Sequence, residues 1–142
     1  MTRSSFPTAQ DAENAFYEAL AHADLEGMMA VWAEDEDIVC IHPAGDRLAG
    51  QDQVRSGWAR LFDGAPPLNV QVTPQAAVDG AMFSVHCVQE NIAAAGDNRP
   101  RVPMIATNVY LRTAAGWRMI VHHASPAQHP AEAPPDSPKI LH

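Results

Sequence analysis

Apolar residues recur three and four apart in the first part of the chain. Behind the start signal of Thr8 with Asp11, the positions Ala12, Ala15, Phe16, Ala19, Leu20 and Ala23 form one stripe and predict a first helix. Asp24 is placed to cap a second, short helix carrying Leu25, Met28, Met29 and Trp32, which ends at the acidic cluster of residues 34–37. The β-branched Ile38, Val39 and Ile41 predict a strand over 37–42, stopped by Pro43, Gly45 and Asp46. Val54, Trp58, Leu61 and Phe62 share the face of a third helix, which Gly64 and Pro66-Pro67 end. The period then changes to two, and strands are expected over 68–78, 81–93, 102–112 and 117–124. Asp79-Gly80 reads as a two-residue hairpin turn with positive φ at both positions, Ala115-Gly116 as another, and residues 96–100 as a longer loop.

Helices followed by a long-stranded meander predict an α+β domain with its helices gathered on one face of a curved, mostly antiparallel sheet. The domain is expected over residues 1–126. Residues 127–142 read as a Pro-rich tail, since five of the twelve prolines fall from Pro126 onward, although Ile140 and Leu141 can dock on a neighbouring surface.

Composition narrows the function. With 46% hydrophobic and 18% charged residues, 142 residues suffice for one buried core. A net charge of −8 with nine Lys and Arg leaves no basic stripe for nucleic acid or an anionic membrane. No apolar window approaches a membrane helix, and residues 1–10 lack the apolar stretch of a signal sequence, so a cytoplasmic location is expected. Cys40 and Cys87 each lie within an apolar run and read as buried, reduced thiols.

Local phrases add a resemblance. Asp24-Leu25-Glu26 through Val31-Trp32-Ala33, His42-Pro43-Ala44-Gly45 with Leu48-Ala49-Gly50, Ala106-Thr107-Asn108-Val109-Tyr110, and the run from Gly116-Trp117-Arg118 to His122-His123-Ala124-Ser125 resemble the nuclear transport factor 2-like (NTF2-like) superfamily. Within it they are similar to bacterial SnoaL-like proteins related to the DUF4440 group. The resemblance implies a cystatin-like cone, a pocket between sheet and helices for a small apolar or amphipathic molecule, and a homodimer formed through the outer sheet face. It does not imply one reaction, because the scaffold carries isomerases, cyclases, dehydratases and proteins without chemistry.

His42 stands directly before Pro43, where steroid-isomerase-like relatives carry a catalytic aspartate, and a desolvated imidazole there is neutral and able to accept a proton. Those isomerases also stabilise an oxyanion with a tyrosine of the first helix and a protonated acid in the sheet. Here Phe16 is read in the tyrosine's place, with Tyr17 on a neighbouring face. Glu90 is the carboxylate of the central strand, on the face of Met82, Ser84, His86 and Val88, and an inward position raises its pKa by desolvation. Either Thr107 or Asn108 faces inward, as does either His122 or His123. Parity with Ile120 and Ala124 puts His122 inward and leaves Trp117, Met119, Val121 and His123 as an apolar outer band; the opposite parity, with His123 inward, stays open.

The expected catalytic set is therefore His42, Glu90 and His122, with Trp32, Trp58, Asn108, Tyr17 and His123 as ligand-binding candidates and no cofactor. Trp32 and Trp58 also fit plain core packing, and the polar residues fit structural hydrogen bonding. A metal site built from His42, His86 and one late-strand histidine is the competitor, but the seven histidines show no ligand spacing. Three functions remain: an acid–base enzyme of the isomerase, lyase or cyclase type, a non-catalytic ligand binder, and an assembly module.

Overall fold

Thr8 Oγ1 accepts the Asp11 backbone N–H at 3.0 Å and so starts helix α1 (Ala9–His22) where the sequence predicts it. The helix ends at Ala23, whose φ of 51° places it in the left-handed region. Asp24 Oδ1 accepts Gly27 N–H at 3.0 Å and opens α2 (Leu25–Val31). The computed structural model describes residues 5–99 and 101–128; the expected Pro-rich tail from residue 129 onward lies outside them.

The first strand, β1 (Val39–Ile41), is shorter than the expected 37–42 and pairs with a strand the pattern did not announce, β2 (Arg47–Ala49). Helix α3 (Gly50–Phe62) follows, and then β3 (Leu68–Asp79), β4 (Phe83–Ala94), β5 (Met104–Thr113) and β6 (Gly116–Pro126). They form one sheet in the order β2-β1-β6-β5-β4-β3, in which β1 and β6 are the parallel pair. The three helices cover one face, and Phe16, Met28, Val31, Trp32, Val54 and Trp58 are buried between helices and sheet. This is the α+β cone expected. Cys40 is buried, Cys87 is half-buried, and both are free thiols. No helix among the described residues is long and apolar enough to cross a membrane.

Two turn readings are corrected. Neither Asp79 nor Gly80 has a positive φ, and β4 begins only at Phe83. Ser84 and His86 hold the Asp79 side chain on the strand, and Gly80 N–H donates to Phe83 O at 2.8 Å, closing a wider loop. The last hairpin turns at Ala114-Ala115 between paired Thr113 and Gly116, one residue before the expected place.

The outer band of β6 is also corrected. Val109 pairs with Val121 but Tyr110 pairs with Met119, so Ile120 is an extra residue on β6. Such a bulge reverses the facing of everything before it. Met119 is consequently buried, and Trp117 lines a cleft on the helix side rather than an outer band. A second bulge leaves Gln75 unpaired beside Pro74 on β3, an edge strand where a missing N–H and a kink discourage further pairing.

Gly116 anchors the N-terminal segment. Its φ is 101°, and a Cβ there would stand 2.9 Å from both the N and the O of Phe6, which lies against it in a parallel bridge. Gly116→Ala is expected to destabilise the protein by about 1–3 kcal/mol, combining left-handed strain with the clash, as read from urea unfolding.

Candidate functional site

Strand register collects the polar residues. Cys40, His122, Asn108, His86 and Ala77 are successive cross-strand partners over β1, β6, β5, β4 and β3, and so form one row on the helix-facing side of the sheet. Ser84, His86, Val88 and Glu90 all face inward, as do Asn108 and His122, whereas Thr107 and His123 are exposed. Helix α1 lays Glu13 and Tyr17, one turn apart, over this row.

The result is a continuous buried network. His122 Nδ1 lies 2.6 Å from Asn108 Oδ1. Asn108 Nδ2 donates to Tyr17 Oη at 3.0 Å and to Glu13 Oε1 at 3.2 Å. Tyr17 O–H donates to Glu90 Oε2 at 2.5 Å, and Tyr110 O–H to Glu13 Oε1 at 2.8 Å. His86 Nδ1 stands 3.2 Å from the same Glu13 oxygen, while His86 Nε2 is 3.1 Å from Asp79 Oδ1, which Ser84 Oγ also reaches.

The electrostatics follow from burial. Burial raises the Glu90 pKa; the hydrogen bond from Tyr17 opposes this and the charge of Glu13 adds to it. Tyr17 is pushed far above the ordinary phenol range by burial and by Glu90. His122 falls to about 3, through burial and then the neighbouring His42 and His123, and burial also lowers His42. Cys40, 3.7 Å from His42 Nε2, rises to about 12 by burial and the charge of Glu90, so it is a poor nucleophile.

The structure thus brings together Tyr17, Glu90, Asn108 and His122 by hydrogen bonds. Tyr17 does not point away: both Phe16 and Tyr17 are buried, because adjacent positions on a helix held between two layers both meet side chains. His42 joins through rings, 4.6 Å from Trp58 and 6.5 Å from His122, with Phe16 and Phe62 completing the packing. Trp58 Nε1 has no hydrogen-bond partner there among the described residues. Trp32 is buried and bridges Met119, and His123 is on the other face.

Two clefts lie toward the opposite end. A cleft of about 380 Å³ between α1 and the β3–β4 hairpin is lined by Thr8, Gln10, Glu13, Asp79, Ser84, His86, Val88 and Trp117, among others. A second cleft of about 360 Å³, on the other side of Gln10, Glu13 and Pro74, reaches Tyr17. Neither is lined by His42 or His122. Among the described residues no group of three or more His, Cys, Asp or Glu is arranged to hold a metal.

Glu13, Asp79, Ser84 and Tyr110 belong to the site without standing out in the sequence. Glu13 carries a signal, since it lies four after Ala9, three before Phe16 and four before Tyr17, on the stripe that faces the sheet. Asp79 is masked by its resemblance to a turn residue.

The lowered imidazole pKa values set a pH window. A histidine kept neutral in the fold but protonating near 6.5 when unfolded contributes stability above that value, lost as pH falls toward the folded value. Unfolding free energy is therefore expected to fall between about pH 6.5 and 3. His122→Gln should flatten that limb in urea titrations across the window, and an unchanged slope would contradict the assignment.

The fold has known counterparts. A candidate calcium/calmodulin-dependent protein kinase type II association domain from Thiobacillus denitrificans is 42% identical, with a TM-score of 0.84 over 88% of this chain and 99% of that one. A candidate dehydratase of the NTF2-like family from Streptomyces avermitilis is 27% identical, with a TM-score of 0.77 over 86% and 95%. The F-box protein SKIP8 of Arabidopsis thaliana is 25% identical over 118 residues, 78% of this chain; the chain spans less than half, 46%, of that relative's length. Residues 10–129 match the SnoaL-like domain, and the chain belongs to that family, within the NTF2-like superfamily.

Proposed function

We propose that this protein acts on a small molecule held in the cleft between α1 and the β3–β4 hairpin, with Glu13 and His86 as its acid–base pair. The observation that carries the reading is their placement: both are buried, their polar atoms are 3.2 Å apart, and both line the 380 Å³ cleft. That volume suits a small ligand, and buried polar groups gathered in an otherwise apolar recess fit a reactive site.

The geometry suits proton transfer. With His86 Nε2–H given to Asp79, a carboxyl oxygen faces Nδ1, and a favourable contact there needs one further proton, on the ring or on Glu13. A proton shared between two buried groups is one that can be passed to a substrate and recovered. Tyr110 and Asn108 hold Glu13 in place, which removes its rotamer freedom before a ligand arrives. The candidate dehydratase of the same superfamily is in keeping with acid–base chemistry on this scaffold. His42 and His122, expected as catalytic, are neutral imidazoles packed among aromatic rings at the far end of the network. A role for them in this reading is to order the network rather than to meet the substrate.

With a compound selected by thermal-shift screening and followed for conversion, Glu13→Gln and His86→Ala are each expected to lower kcat/KM by about 10²–10⁴-fold, the usual contribution of a placed acid–base group. Ala77→Trp, which fills the cleft from exposed β3, should abolish binding. Binding that survived Ala77→Trp would remove the cleft from the proposal. A compound that stabilises the protein but is returned unchanged would point instead to a carrier or sensor.

Assembly is a second reading, favoured by a particular row. Val39, Val121, Val109, Val85 and Val78 are successive cross-strand partners on the outer sheet face, and Phe83 beside them is 55% exposed. Val78 and Val85 are exposed and Val39, Val109 and Val121 half-buried; such a line of valines suits pairing with the same face of a second copy, and the Thiobacillus relative carries an association-domain name. Light scattering is expected to give twice the chain mass, falling to the single-chain mass for Val85→Glu with Phe83→Glu. A monomeric wild type would end this reading and leave the cleft untouched.

A further inference from the structure

The two carboxyls of the cleft are each engaged mainly on one oxygen. Glu13 Oε1 accepts from Asn108 and Tyr110 and faces His86, whereas Oε2 has a single 3.3 Å contact from Gln10, itself a cleft residue. Asp79 Oδ1 takes Ser84 Oγ and His86 Nε2, no hydrogen bond among the described residues reaches Oδ2, and the side chain is 68% exposed. One oxygen of each group is thus fixed by the protein, leaving Asp79 Oδ2 without a partner among the described residues and Glu13 Oε2 with only the long contact from Gln10, which a ligand can replace.

The composition of the cleft points the same way. Among the described residues no Lys or Arg lines it. An anionic ligand would meet two carboxyls with no Lys or Arg to offset them, a like-charge approach that costs rather than contributes. Val88, Pro74 and the Trp117 ring supply apolar wall, and an aromatic ring beside carboxylates is the usual surrounding of an organic cation.

We infer that this cleft takes a ligand with a protonated amine head and a short apolar or aromatic body. The ammonium donates to Glu13 Oε2 and Asp79, and the body lies along Val88, Pro74 and Trp117. The inference rests on reading this cleft as the ligand site and names the class of molecule that the site accepts.

Three near-isosteric probes separate the possibilities: 2-phenylethylammonium, 2-phenylethanol and 3-phenylpropanoate, titrated calorimetrically into the full chain at matched ionic strength. Amide shifts of Gly80, Ser84 and Val88 report where each one binds. The ammonium is expected to bind about tenfold or more tightly than the other two, a difference of about 1.4 kcal/mol, and to shift these amides. Asp79→Asn, an exposed change that keeps an oxygen for Ser84 and His86, should weaken the ammonium about three- to tenfold and leave the alcohol unchanged. Should the alcohol or the anion bind in the cleft as tightly as the ammonium, the amine inference falls while the cleft stands as the ligand site. Should the ammonium fail to bind, bind without shifting those amides, or bind Asp79→Asn unchanged, the inference is likewise overturned; the fate of the cleft itself is decided separately by Ala77→Trp.

Discussion

One carboxyl oxygen, Glu13 Oε1, ties the first helix to the sheet. It is reached by Asn108 and Tyr110 from β5 and approached by His86 from β4. A buried carboxylate without partners is too costly to keep in a fold, by several kcal/mol even after relaxation. The donors are therefore a condition of the helix lying where it does. They stand in register because Asn108 and His86 are cross-strand neighbours and Tyr110 is two residues along the same face. Position on the sheet, and not proximity in sequence, gathers them: Glu13 is 95 residues from Asn108 and 97 from Tyr110.

That oxygen also orders the rest of the network. Asn108 spends its amide hydrogens on Glu13 and Tyr17, so its oxygen is the acceptor and His122 must carry its proton on Nδ1. Tyr17 accepts from Asn108 and donates to Glu90. Each hydrogen bond leaves its neighbour one choice of direction. A chain of this kind holds its members stiffly, and a stiff set of buried dipoles can stabilise charge without first reorganising. Glu90 ends the chain as an acceptor, which is why Tyr17 opposes the desolvation that raises its pKa.

Much of this is legible in residues 8–126. Thr8 and Asp24 announce their helices because capping is local chemistry, and the change of period at Pro67 announces the meander because alternation is a property of each strand. The same alternation narrows the inward residue to Thr107 or Asn108 and to His122 or His123, and the helices packed on the sheet decide between them in favour of Asn108 and His122. What alternation cannot show is a bulge. Ile120 breaks the count on β6: of the two parities left open, the one that puts His122 inward holds there, but the outward facing of Met119 and Trp117 that goes with it fails on the other side of the bulge. Arg47–Ala49 escapes notice because a three-residue edge strand owes its existence to its partner, not to its own pattern. Glu13 is hidden for a different reason: a charged residue on an apolar stripe is read as solvent-facing until a partner 95 residues away is known.

The inner and outer faces of the sheet make the pocket and assembly readings compatible. His122, Asn108 and His86 form a polar row on the helix side, while Val121, Val109 and Val85, each one residue away, form an apolar row on the other. Because side chains alternate, a substitution in one row leaves the facing of the other unchanged. A sheet of this kind can change what its helix-covered face binds while keeping the face that meets a second copy, or the reverse. That separation gives a physical reason why one scaffold can appear both in a protein named for association and in one named as a dehydratase.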